Sequence, residues 1–430
     1  MLEGQSNQQV TCLCWNNEGT NLAVGLLHGF IIYSTELLLE EDGWLQEVLH
    51  RSIVGGVGVM ALHGQSNVII IAGWSPSHRS TVSIYDVAID EGQEGKESVL
   101  ASITLSSPVT ALRFHPRLVI VGERGVIHLF NHVLKKVHSF PISRKTTGSV
   151  INAKTLALGT ILVKKPAAGV CFSLLLGVIP GPSIGSVRCI RYVAEQKLDS
   201  SFSQLTPTCL TDMDMRPLSE NIVEIHRNEV NCVTITSDGT RALTVSERGT
   251  SLKLLDVENG IVLARFSRGK TPNLVHTLGL LVSSTDTVAA CVSDTGTFHL
   301  FHFPIFESSS NRIPVATGAE SGLSDYKFVR AWNDYINSMS SKSRLAIPED
   351  ALYETLCKYR DYNRSMYTLA LRPMANKPAS CIAHVVQLNV SPKGLALKAR
   401  LLSIQVDLSA TMTGESVKVV RTFYFPKDEL

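Results

Sequence analysis

The run "RFSRGKT" at 265–271 gathers Arg265, Arg268 and Lys270 around Gly269, with Ser267 between the two arginines. Cations and a hydroxyl beside a glycine suit a phosphate, which takes charge-assisted hydrogen bonds from several directions. A nucleotide-binding P-loop would end in the same Gly-Lys-Thr, but its first glycine would have to stand at 264, where the chain has alanine. The preceding "GIVLARF" also lacks the backbone freedom of a loop that wraps a phosphate, so this reading is set aside. Upstream lie more polar residues of the right types: His226 in "EIHRNEV", Ser246 in "TVSERGT", and Thr250 and Lys253 in "GTSLKLL". Imidazole, hydroxyls and an ammonium converging from different strands would bind a phosphomonoester. The same residues could instead satisfy turn backbone, with His226 tied to the neighbouring structural unit.

The elements that must position them are short strands. "VTCLCWNNEGTNLAVGLLHGFIIYS" (10–34), "VTALRFHPRLVIVGERGVIHLFN" (109–131), "VNCVTITSDGTRALTVSERGTSLKLLDV" (230–257) and "VHTLGLLVSSTDTVAACVSDTGTFHLFHF" (275–303) repeat one order of apolar strand, turn and apolar strand. That is how one blade of a β-propeller is written. With "IIIAGWSPSHRSTVSIYDV" (69–87), a weaker unit between 150 and 223, and a last one from 379 onward, the count is seven. The expected fold is all-β, a seven-bladed propeller. Its domains are blades one to six over 8–303, a long, partly helical loop of blade six over 304–364, and the end of blade six plus blade seven over 365–430.

Composition narrows the function. Forty Lys and Arg against thirty-eight Asp and Glu give a net charge of +2, so no global field draws the chain to nucleic acid or membrane, and anion binding must be local. The nine cysteines show no C-x-x-C, which fits a reducing compartment and no zinc site. No histidine pair has metal-ligand spacing, and "GPSIG" (181–185) fits G-x-S-x-G but has a proline before the serine and no helix after it, so a turn is expected. A non-enzyme without cofactor or metal is the reading. "MLEGQSNQQV" has no basic head with an apolar core, which argues for the cytoplasm and makes the terminal "KDEL" a coincidence. The uncharged stretch "AAGVCFSLLLGVIPGPSIG", broken by Pro180 and Pro182, reads as two buried strands about a turn.

Taken together, "NLAVGLLHGFIIYS", "RLVIVGERGVIHLFN", "IHRNEVNCVTITSDGTRALTVSERGTSLKLLDVENGIVLARFSRG" and "SDTGTFHLFHF" resemble the PROPPIN family, propellers that bind phosphatidylinositol 3-phosphate in autophagy and endolysosomal traffic. The family carries Phe or Leu, then Arg-Arg-Gly, where this chain has Phe266-Ser267-Arg268-Gly269. The resemblance implies two headgroup sites. Site one would be His226, Ser246, Thr250 and Lys253, weakened because Ser267 replaces the first arginine and Lys253 stands where arginine is common. Site two would be Arg268 with Ser293, Thr297 and His299. The implied ligand is phosphatidylinositol 3-phosphate or its 3,5-bisphosphate, bound by a monomer at preautophagosomal, endosomal or lysosomal membranes.

The family's membrane-inserting loop falls at 304–364. There "SDYKFVRAWNDYINSM" puts Phe328, Trp332, Tyr335, Ile336 and Met339 on one helical stripe beside Lys327 and Arg330, suited to a membrane surface or to packing on the propeller's flank. A second helix is expected in "PEDALYETLCKYRDYN". Pro76, His78 and Arg79 stand where the family holds a large autophagy lipid-transfer protein, and Arg117 lies near a residue some members use to recruit the conjugation machinery. The alternative is a scaffold of the same ancestry that works through protein contacts with weak or no lipid binding.

Overall fold

The structure is a computed structural model that describes residues 9–39, 43–62, 64, 66–88, 98–115, 117–142, 156–165, 170–197, 215–282, 286–304, 343–346, 364–374, 380–390, 399–407 and 417–425. Among the described residues twenty-eight strands form seven antiparallel sheets of four, each built from four consecutive strands. The blades span 10–52, 59–104, 111–141, 157–224, 230–267, 275–346 and 364–425. The fold expected from the repeats is therefore the fold observed.

Two boundaries differ from the sequence reading. The fourth strand of blade six is Ser343–Ala346, inside the 304–364 segment read as loop, and it pairs with the third strand from Thr297↔Ala346 to Leu300↔Ser343. The segment from 365 onward, read as opening with the end of blade six, lies instead in blade seven, whose first strand is Arg364–Pro373. Both strands are hard to read locally. "SRLA" is too short to show a period, and "RSMYTLALRP" buries residues on both faces, so alternation is blurred.

Alternation along each strand gives every blade two faces, and each face packs on a neighbouring blade. Among the described residues the apolar core divides into seven clusters, one at each joint. Between blades five and six, Leu252, Leu254, Ala264 and Phe266 meet Leu278, Ala289, Cys291 and Phe301. Between blades seven and one, Val386, Leu388, Ala399 and Leu401 meet Val10, Leu22, Val24 and Ile31. Each such buried side chain contributes on the order of 1.5–3 kcal/mol relative to exposure, so the ring is held by its joints.

The uncharged stretch in blade four is two strands, Val170–Pro180 and Ser186–Lys197, about a turn. In "GPSIG" the Ser186 hydroxyl donates to the Ser183 carbonyl, the Ser183 amide donates to Ser186 Oγ at 3.0 Å, and the Ser183 hydroxyl donates to Glu224 at 3.2 Å. This is the expected strand-to-strand turn. Among the described residues no helix is long and apolar enough to cross a membrane.

Candidate phosphate site at the end of blades five and six

In blade five the first residue of the first strand pairs with the last of the second, Val230↔Ser246, and Ser251 pairs with Ser267. In blade six Val275 pairs with Ser293. Ser246, Thr250, Ser267, Arg268, Ser293 and Thr297 thus all lie at one end of the ring. Antiparallel pairing brings strand ends that are distant in sequence to one rim.

The face parity separates two groups. Leu243, Val245, Leu252, Leu254 and Phe266 point to blade six. Thr244, Ser246, Lys253, Arg265 and Ser267, one position out of step, point to blade four. Site one therefore occupies the joint of blades four and five. The His226 ring donates through Nε2 to Thr244 Oγ1 at 3.0 Å, and the Thr244 hydroxyl in turn donates to the Lys253 carbonyl at 3.3 Å. Lys253 Nζ donates to the carbonyl of Ile225, in the linker from blade four. Burial, then the charges of Lys253 and Arg265, push the His226 imidazole down to about 3. Burial, then Arg265 and Arg227, lower Lys253 from the usual lysine range. Sequence reasoning named His226 and Lys253 but missed Thr244, which connects them. Its only signal was a hydroxyl two residues before Ser246, on the same strand face.

Site two occupies the next joint. Ser293, Thr297 and His299 share the face of blade six that carries Cys291 and Phe301 toward blade five, and Cys291 and His299 are cross-strand partners. Arg268, in the linker between the blades, acts on Cys291 electrostatically, opposing the burial that pushes that thiol up to about 12. The four residues of site two thus share one joint. It is a closed joint: Arg268 is 5% exposed, Ser293 0% and His299 5%. Arg268 Nε donates to the Gly249 carbonyl at 2.5 Å and Nη2 to the Thr271 carbonyl at 2.7 Å. Gly249 has φ +61°, and a Cβ there would stand 2.0 Å from the Asn273 carbonyl, so the turn that presents this acceptor requires glycine. The Arg268 and Gly269 amides both donate to the Thr250 carbonyl, at 2.9 and 3.4 Å. Hydroxyls of Ser293 and Thr295 lie 2.8 Å apart, and those of Thr295 and Thr297 3.3 Å.

The remaining positions lie elsewhere. Pro76 and Arg79 are exposed on a loop of blade two, while His78 Nδ1 is held by the hydroxyls of Ser75 at 2.8 Å and Ser77 at 2.9 Å. Arg117 is half-buried on blade three, its amide donating to His115 Nδ1 at 3.2 Å. Phe328, Trp332, Tyr335, Ile336 and Met339, the helix expected at 348–363, and the terminal KDEL lie outside the described residues.

Fold and rim define a class: a seven-bladed β-propeller with a polar end at two consecutive joints. No family model matches the chain. It is 34% identical over 94 residues to autophagy-related protein 18 of Aspergillus oryzae, covering 22% of this chain and 22% of that protein, and 36% identical over 107 residues to the protein of that name from Emericella nidulans, covering 24% of each. The match spans about a quarter of the length of these relatives. In structure the chain is similar to Kluyveromyces lactis Hsv2, with a TM-score of 0.56, 15% identity, and coverage of 97% of this chain and 99% of that one. It is also similar to KlAtg21, solved with the coiled-coil of AgAtg16, with a TM-score of 0.53, 12% identity, and coverage of 97% and 100%. The chain thus shares the seven-bladed propeller fold of Hsv2 and Atg21, and about a quarter of it is similar in sequence to autophagy-related protein 18.

Proposed function

We propose that the chain is a peripheral, non-enzymatic membrane effector of autophagy or endolysosomal traffic that binds the phosphorylated headgroup of phosphatidylinositol 3-phosphate, or its 3,5-bisphosphate. One observation carries the reading. Hydroxyls, imidazoles and cations from separate strands collect at the same end of two consecutive joints, with His226, Ser246 and Lys253 in one, Arg268, Ser293, Thr297 and His299 in the other, and Thr250 on the rim beside Arg268, whose amide its carbonyl accepts. Two modest sites on one rim reinforce each other on a membrane, because the second contact is effectively intramolecular. Such a protein would work from the cytoplasm, on preautophagosomal, endosomal or lysosomal membranes. The test is flotation with vesicles that contain phosphatidylinositol 3-phosphate, against vesicles of equal charge without it. Wild type should float only with the former, and Arg268→Ala should sink. Wild type remaining at the bottom with both would overturn the reading.

A second reading, a protein-contact scaffold, is favoured by Arg268, whose Nε and Nη2 donate to carbonyls inside a closed joint. The two combine if the ring holds a membrane at one rim and a protein elsewhere. The neighbour KlAtg21 carries a coiled-coil in its solved complex. Here the exposed Pro76 and Arg79, braced by His78, are the proposed contact for a large lipid-transfer protein.

A further inference from the structure

Thr244, Lys253 and Arg265 form a straight row across the second, third and fourth strands of blade five, through the register pairs Thr244↔Lys253 and Lys253↔Arg265. Residues paired directly across an antiparallel ladder share a face and lie close enough to interact. The row therefore sets an ammonium beside a guanidinium on the blade-four side. Arg227, next to His226 in the linker, is a second cation acting on Lys253, after Arg265. Like charges placed directly opposite one another destabilise a sheet. Among the described residues none of the ion pairs engages Arg227, Lys253 or Arg265. Arg265 is exposed, at the outer end of the row. It is two residues from Ser267, hence on the same face and roughly 6.6 Å along the strand. The hydroxyls of Ser251 and Ser267, themselves cross-strand partners, border the row toward the rim.

We propose that Arg265 supplies the cation that Ser267 lacks: a phosphomonoester of an inositol ring sits over the Lys253–Arg265 pair, flanked by Arg227, with Ser267 as a hydrogen-bond donor. This rests on the proposed headgroup reading for its ligand. It also ranks the two joints, with blade five's outward row binding first and the closed Arg268 joint second. The shared chemistry, an inositol phosphate, comes either on a lipid or free in solution.

The experiment titrates the full chain with soluble inositol 1,3-bisphosphate by calorimetry, and in parallel with phosphatidylinositol 3-phosphate vesicles. It compares wild type, Arg265→Gln, Arg265→Lys, Lys253→Gln, Arg268→Gln and the distant exposed control Lys136→Gln. Removing one charge-assisted partner should weaken headgroup binding about tenfold or more in Arg265→Gln and Lys253→Gln, with Arg265→Lys between them and wild type and Lys136→Gln unchanged. Arg265→Gln should also lose the rise in Tm that the headgroup gives wild type, while its Tm without ligand is equal or higher; this separates lost binding from lost folding. Headgroup binding that depends on Arg265 without vesicle binding would uphold the site and reject the lipid reading. Vesicle binding that tolerates Arg265→Gln but not Arg268→Gln would uphold the lipid reading and overturn the site. No binding of either ligand by wild type would overturn both.

Discussion

The two faces of blade five are built by alternate residues of the same strands, yet they do opposite work. Leu252, Leu254, Ala264 and Phe266 form a dry seam with blade six, with Phe266 and Phe301 ring centres 5.4 Å apart. Thr244, Lys253, Arg265 and Ser267 turn toward blade four, where the same strands place hydroxyls and like charges. A ring needs only enough apolar contact at each joint to stay closed. Where the part of a joint away from the rim already supplies it, as Ala242, Leu255 and Val257 do with Val178 and Cys189, the part toward the rim is free to carry chemistry at a loss of stability.

The sharpest way to break this contrast is Phe266→Ala. The side chain is 0% exposed, and its removal should destabilise the fold by about 3–5 kcal/mol in denaturant melts. A loss no larger than that of a polar-face substitution would mean that the two faces are energetically alike. Next is Arg268→Gln, which removes charge-assisted bonds to the Gly249 and Thr271 carbonyls in a closed joint. A destabilisation of about 1.5–3 kcal/mol is expected, and a value near zero would remove Arg268 from the structural side of the comparison.

Acid should expose the polar face in a different way. His226 and His384 have folded pKa values pushed to about 3, His384 by burial and then Arg372, whereas an unfolded imidazole titrates near 6.5. The unfolded chain thus binds protons first, so the contribution of the neutral rings is complete above pH 6.5 and is lost as pH falls from there toward 3. Stability measured across that window should decline less steeply in His226→Gln than in wild type; an unchanged slope would show that the ring is not held neutral. The smallest effect is that of Arg265→Gln without ligand. Relief of repulsion should raise Tm slightly at low salt and not at high salt, because exposed charges are screened. A fall in Tm would mean that Arg265 is a structural partner.

The blades were legible because each repeats apolar strand, glycine turn and apolar strand in consecutive residues, as in "TRALTVSERGTSLKLLDV". The residue types of the proposed phosphate site are legible too, in His226, Lys253 and Arg268. What stayed hidden was pairing across strands. Nothing in "LARFSRG" says that Arg265 stands opposite Lys253, because the register follows from the intervening turn and from the shift between Leu254 and Leu255. Nor does the sequence reveal that Arg268 turns inward onto Gly249. That contact depends on a backbone carbonyl presented at positive φ, and carbonyls leave no signature in residue type. The fourth strand of blade six was missed because four residues without a period carry too little pattern to stand out.

Each blade takes all four of its strands from one continuous segment, so blades one and seven exchange no strand. Six joints have a peptide linker across them, whereas the contacts among the described residues at the seventh are made by side chains. There Trp15 stacks on His384 with centres 6.0 Å apart, Arg372 donates to Thr35, and Arg421 donates to the Gly43 carbonyl at 2.7 Å. The molecule is in effect a belt with a clasp. It can open at that clasp without breaking a single rung of any sheet, and amide exchange should find that line first. The rim of blades four to six, proposed above to bind phosphate, has its own joints and would keep its geometry while the ring breathes at the clasp.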